Sequence, residues 1–170
     1  VLICASTDQH SPLSIEALRA GKHVFCEKPI DHDVNKIKEV LDVVKETGKK
    51  YQVGFNRRFD HNFKAIRDAV VAGKVGKQQI IKITSRDPEP PSIDYVKISG
   101  GIFLDMTIHD FDMVRYLSGA EVEEVYAEGS VTVDPEIGKA GDIDTAIITL
   151  KLDNGATAVI DNCRAACYGY

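Results

Sequence analysis

The sequence predicts an α/β portion of parallel type followed by an α+β portion built on an open, mainly antiparallel sheet. Three observations predict it. Strand-like and helix-like segments alternate with short joints through the first third of the chain, the pattern of a parallel sheet with crossover helices. A long strand, a proline-rich loop and an apolar helix come next. The last third then reads as strand after strand, with Asp153-Asn154-Gly155 as a hairpin signal between the final two.

Residues 1–5 are a continuous apolar run, as in a strand covered on both faces. Ser11 offers an N-cap and Pro12 a first helical position for a helix that carries Ile15 and Leu18 to Gly21. Residues 23–26 form the next strand. Val34, Ile37, Leu41 and Val44 recur at helical spacing before Gly48. Residues 51–55 are a third strand, and Phe59, Phe63, Ile66 and Val70 mark a third helix ending near Gly73. A domain boundary falls at residues 55–60, which divides the chain into 1–55 and 56–170. Beyond it a strand covers 79–86, a loop surrounds Asp87-Pro88-Glu89-Pro90-Pro91, and a helix covers 102–117. Strands follow at 122–133, 145–152 and 156–164.

Composition narrows the function classes. With 170 residues, 44% hydrophobic and 28% charged, the chain can bury a core and matches an ordinary globular protein. No run approaches the roughly 20 apolar residues of a membrane span. The 21 basic and 26 acidic residues are mixed along the chain for a net charge of −5. No basic stripe exists to neutralise a phosphate backbone, which argues against a nucleic-acid partner. Cys163 and Cys167, read in one strand, would lie ~13 Å apart and cannot bridge. Cys4 and Cys26 read as small core residues, and a reducing, cytoplasmic setting follows.

In an open parallel sheet, ligands bind beyond the carboxyl ends of the strands. Those three crests are Ser6-Thr7-Asp8-Gln9-His10, Glu27-Lys28-Pro29 and Gly54-Phe55-Asn56-Arg57-Arg58. All are polar or charged, which for any single crest is also what an ordinary loop looks like. The helix at 102–117 is more specific. At 100° per residue, Asp105, His109, Asp112 and Tyr116 fall on one narrow stripe of an otherwise apolar cylinder. A carboxylate at i can take one imidazole proton at i+4 and leave the other nitrogen as a base near neutral pH. The plain alternative is a structural His–Asp pair. A metal site lacks a third ligand at suitable spacing, and neither a nucleophile elbow nor a phosphate-cradling glycine loop occurs.

Three segments, in this order, resemble the Gfo/Idh/MocA family of NAD(P)-dependent oxidoreductases: residues 20–29 running into Glu27-Lys28-Pro29, residues 54–60, and residues 99–110 around Asp105 and His109. The likeness covers essentially the whole chain. Residues 85–95 and 162–170 look most like the family members that oxidise inositol. The resemblance implies the C-terminal half of a Rossmann-type parallel sheet followed by a substrate domain. It implies a hydride transfer from a ring hydroxyl carbon of a polyol, myo-inositol, to NAD, with NADP as the alternative. Lys28, Asp105 and His109 would be catalytic, with His109 the base, Asp105 orienting it, and Lys28 touching both the cofactor ribose and the reacting hydroxyl. Ser6, Thr7, His10, Glu27 and Lys28 would line the cofactor. Asn56, Arg57, Asp105, His109 and Tyr168 would line the polyol. No metal is implied. A cytoplasmic homo-oligomer, dimer or tetramer, is implied through the open sheet face. The Gly-x-Gly-x-x-Gly turn of such a domain does not occur in these residues, so the chain is expected to be the middle half of the enzyme and inactive alone. Other sugars or sugar acids are the alternative substrates. A non-catalytic dinucleotide sensor is the alternative of another class, disfavoured because binding alone needs no base.

Overall fold

The computed structural model describes residues 1–166. The chain forms two compact units, Val1–Asn56 and Arg57–Tyr170. The first holds a three-stranded parallel sheet in the order β1-β2-β3, with β1 at Leu2–Ile3, β2 at Val24–Cys26 and β3 at Tyr51–Val53. Helix α1 (Thr7–Arg19) links the first two strands and α2 (Val34–Thr47) the last two. Their core is Ile3, Leu18, Val24, Cys26, Ile30, Val40 and Val43.

Several details differ from the sequence expectation. Helix α1 starts at Thr7 behind Ser6, so Pro12 lies inside it and Ser11 is no cap. Ser11 is instead buried, and its hydroxyl donates to Asp31 at 2.6 Å, tying α1 to the segment after β2. Strand β1 is shorter than expected and sits at the sheet edge with Leu2 exposed, and Cys4 is exposed rather than packed. On α2 the inward residues are Val40 and Val43, with Val34 and Leu41 exposed. Asp33 caps α2 by accepting from the Asn35 N–H, and Gly48 ends it at φ +63°, the left-handed turn that glycine adopts without strain.

The second unit carries a four-stranded sheet in the order β4-β7-β6-β5: β4 Ile80–Arg86, β5 Val122–Ser130, β6 Thr145–Leu152 and β7 Thr157–Cys163. The β5–β6 and β6–β7 pairs are antiparallel and the β4–β7 pair is parallel, so the sheet is mixed but mainly antiparallel. The Asp153-Asn154-Gly155 turn joins β6 to β7, with Gly155 at φ +84° and the Asn154 side chain accepting from the Ala156 N–H. Along β6 and β7 burial alternates strictly. Ala146, Ile148, Leu150, Leu152, Ala158 and Ile160 face a core that also takes Val114 and Ala120. The opposite face is open.

Helix α3 (His61–Val71) lies where the apolar spacing placed a helix, but it starts behind an Asp60 cap, leaves Phe59 in the preceding 3-10 turn and buries no residue fully. Two short helices went unread in the sequence: α4 (Ile93–Ser99) inside the expected loop, and α6 (Pro135–Lys139) after β5. The expected helix at 102–117 is also not uniform. Phe103–Thr107 is a π-helical turn that passes into α5 (Ile108–Ser118).

Candidate functional site

In the first unit the functional groups gather at the carboxyl edge of the sheet. Helix α1 opens there without a side-chain cap from Ser6, which is exposed, and Thr7 is half-exposed. Glu27 and Lys28 follow β2 and are both half-buried. The Glu27 carboxylate accepts weakly from the Lys28 N–H at 3.4 Å. It also occupies the space that a Cβ on Gly54 would need, 2.9 Å away, so glycine after β3 is what lets Glu27 lie along the crest. The Lys28–Pro29 peptide is cis.

His10 takes a different place from the one expected. It is buried, and its ring nitrogens meet two backbone carbonyls, Pro29 O at 2.7 Å and Ala5 O at 2.9 Å. A neutral imidazole donates to one of them and packs its other nitrogen against the second. His10 therefore fastens the first crest to the second, and a direct cofactor contact is not what its geometry offers.

In the second unit, two polar networks grip the π turn and the start of α5. One is centred on Asp110, which is fully buried. Arg57 donates to Asp110 and, at 3.3 Å, to the Ser85 hydroxyl. Asn162 donates to the other Asp110 oxygen at 2.8 Å, and its carbonyl accepts from Thr107 at 2.6 Å. Arg57 was expected to line the polyol site. Its terminal nitrogens bond Asp110 and the Ser85 hydroxyl, bracing α5, while its side chain stays 23% exposed. Asn56, by contrast, is exposed at the start of a short 3-10 turn.

The second network is centred on Asp105. Its carboxylate accepts from the Tyr95 hydroxyl at 2.8 Å and from Arg164 at 3.0 Å. Burial, then the bond to Asp105, pushes the Tyr95 phenol up to about 12. The stripe inferred at 100° per residue is divided accordingly. Asp112 is buried and held by Arg58 through three contacts of 2.7–3.1 Å, and Arg58 also lies 5.3 Å from the Tyr116 ring centre. Bonding to Asp112 drives the Arg58 guanidinium further up. His109, between Asp105 and Asp112 in sequence, is half-buried with its Nδ1 buried. Tyr168 lies outside the described residues, as does Cys167.

Asp110, Asn162, Arg164, Thr107 and Tyr95 were not singled out by sequence reasoning. One signal for two of them existed. Ala158 and Ile160 set the inward phase of β7, and Asn162 and Arg164 continue it, so polar groups there had to find buried partners.

Residues 63–170 match the GFO/IDH/MocA C-terminal domain, and residues 1–55 match the oxidoreductase family's NAD-binding Rossmann fold. The chain belongs to the GFO/IDH/MocA family. Over all 170 residues it is 56% identical to a myo-inositol 2-dehydrogenase of Thermotoga maritima, of which it covers 51%. The crystal structure of a probable dehydrogenase from Thermotoga maritima superposes with a TM-score of 0.98 at 56% identity, over all of this chain and 52% of that one. A scyllo-inositol dehydrogenase from Lactobacillus casei, solved with NAD(H) and scyllo-inositol, superposes at 0.90 with 36% identity, again over all of this chain and 52% of the other. The chain thus spans about half the length of the relatives it matches.

The crest of this GFO/IDH/MocA chain fits the cofactor of its family model in donor chemistry. Outward-facing groups at the start of α1 and the charged Glu27-Lys28 pair stand where an open α/β sheet binds a nucleotide. No helix among the described residues is long and apolar enough to cross a membrane.

Proposed function

We propose that the full-length protein oxidises a ring hydroxyl of a polyol, myo-inositol, with NAD. The observation that carries this reading is the doubly held Asp105 carboxylate, on the π turn four residues before His109. Names of relatives that act on inositol support the substrate class. His109 takes the hydroxyl proton at Nε2, since Nδ1 is buried. Asp105 receives a substrate hydroxyl and orients the imidazole. Lys28 stabilises charge as it develops on the same oxygen, and Asn56 supplies a further polar contact. Ser6, Thr7 and Glu27 bind along the cofactor. When bound, NAD accepts the hydride from the carbon that carries the hydroxyl.

The protein works in the cytoplasm as a homo-oligomer, a dimer or tetramer joined through the open sheet face. Exposed Ile147 and Tyr126 on that face support this reading. The test is NADH production by the full-length protein with myo-inositol, beside a His109→Ala variant. Loss of turnover by at least about 100-fold is expected, the lower end of what general-base catalysis contributes. Unchanged turnover would overturn the base assignment, and activity on glucose or a hexuronate but none on inositol would overturn the substrate. A parallel assay with NADP decides the cofactor.

A further inference from the structure

Arg164 is 3% exposed, yet among the described residues its side-chain hydrogen bonds run through one nitrogen alone. Nη1 donates to Asp105 at 3.0 Å and to Asp87 at 3.2 Å. Nε and Nη2 are buried and have no hydrogen-bond partner among the described residues. Desolvating a guanidinium is costly, and a half-satisfied one recovers that cost poorly. What the burial does accomplish is to place a cation against Asp105.

Two segments donate to that carboxylate and a third anchors one of the donors. Tyr95, from α4, donates to its Oδ1 at 2.8 Å, while Arg164, just past β7, donates to its Oδ2. Asp87, just past β4, shares the Arg164 nitrogen and is itself pinned by its N–H to the Cys163 carbonyl at 3.0 Å. Arg164 is anchored in turn, its N–H donating to the Asp144 carbonyl at 2.8 Å. Each Asp105 oxygen is thus fixed from a different side, which restrains rotation of the carboxylate about its terminal torsion, otherwise a soft one.

We infer that Arg164 is a positioning residue that, together with Tyr95, holds the Asp105 carboxylate in one orientation toward the polyol, with Asp87 as the anchor of the guanidinium. This inference rests on the proposed role of Asp105 as a substrate-binding group. It predicts an effect on polyol handling and none on the cofactor. The guanidinium acts through its planar directional donors as well as its charge, so lysine restores only part of the function.

The experiment is steady-state kinetics on the full-length protein with myo-inositol and NAD, for Arg164→Gln, Arg164→Lys, Tyr95→Phe and Asp105→Asn, each checked for folding by circular dichroism. Tyr95→Phe removes a hydroxyl from a ring that is partly exposed and leaves the fold intact. It is expected to raise the KM for inositol about 10-fold, the order expected for a hydrogen bond to a charged group, with the KM for NAD unchanged. Arg164→Gln should lower kcat/KM for inositol further, and Arg164→Lys should fall between it and wild type. Wild-type inositol kinetics in folded Arg164 variants would overturn the inference, as would equal changes in both KM values. Should both Arg164 variants fail to fold, an unchanged inositol KM in Tyr95→Phe overturns it and a selective rise supports it. Wild-type kinetics in Asp105→Asn would instead overturn the underlying role of Asp105.

Discussion

Single carboxylates in the second unit are distinguished less by residue type than by what donates to them. Asp144 is fully buried and accepts from the N–H groups of Thr132, Val133 and Asp134, with Thr145 adding its hydroxyl. Burial alone would raise its pKa; the backbone donors outweigh burial and hold it below the usual 3.8. The sign follows from linkage. A depressed carboxylate adds stability above its unfolded pKa and loses it as pH falls toward the folded value. Acid titration of the full-length protein should therefore show stability falling below pH 3.8, and Asp144→Asn should flatten that fall while lowering stability at neutral pH. An unaltered acid limb in the variant would remove Asp144 from the account. The same logic of donors separates Asp110, held by Arg57 and Asn162, from Asp105, held by Tyr95 and Arg164.

At the scale of elements, the π turn at Phe103–Thr107 is what makes the helix bearing Asp105 and His109 unusual. Thr107 bonds through its hydroxyl to the carbonyl of Ile102, five residues back, at 3.3 Å, and to Asn162 on β7 at 2.6 Å. Such bulges need outside support because their backbone bonding is less regular. The turn is also where Asp105 sits, so its geometry decides how that carboxylate is presented. Thr107→Val keeps the shape and removes both bonds, leaving the buried Asn162 carbonyl without its donor. A loss of about 1–3 kcal/mol is expected in denaturant unfolding, with lower kcat/KM for inositol. Full stability in that variant would show that the turn holds without the hydroxyl. Asn162 and Arg164, two apart on one strand face, act on this one turn from the sheet side.

Each unit has its own core, and among the described residues nothing covers one face of the second unit's sheet. On that face Ile147 is 46% and Tyr126 68% exposed. The cross-strand register places both beside Thr149 and Val159, flanked by the Arg86–Asp161 ion pair. A face of this kind, apolar at its centre and charged at its margin, suits association with a second copy. Ile147→Lys combined with Tyr126→Lys should shift the full-length protein toward smaller species in sedimentation velocity. An unchanged sedimentation profile would place the interface elsewhere.

What the sequence by itself determined was the order of the longer elements and the positions of charge, while the short helices α4 and α6 escaped it. Local signals carried that much: helical spacing and glycine stops marked α2 and α3, and Asp153-Asn154-Gly155 announced the turn between β6 and β7. The crests and the helix bearing Asp105 and His109 were legible because periodicity and strand order alone locate them. Tertiary structure decided the rest, because it depends on partners far along the chain. Pro12 falls inside α1 since the helix starts at Thr7 and Ser11 is drawn to Asp31, 20 residues on. The stripe of Asp105 and Asp112 divides because Arg164 and Arg58 claim them from opposite ends of the second unit's sequence. Distant partners also decided where His10 and Arg57 bond: His10 between the Pro29 and Ala5 carbonyls, Arg57 to Asp110. A sequence states which groups can ionise or donate; only the fold states which of them water no longer reaches, and that makes their partners obligatory.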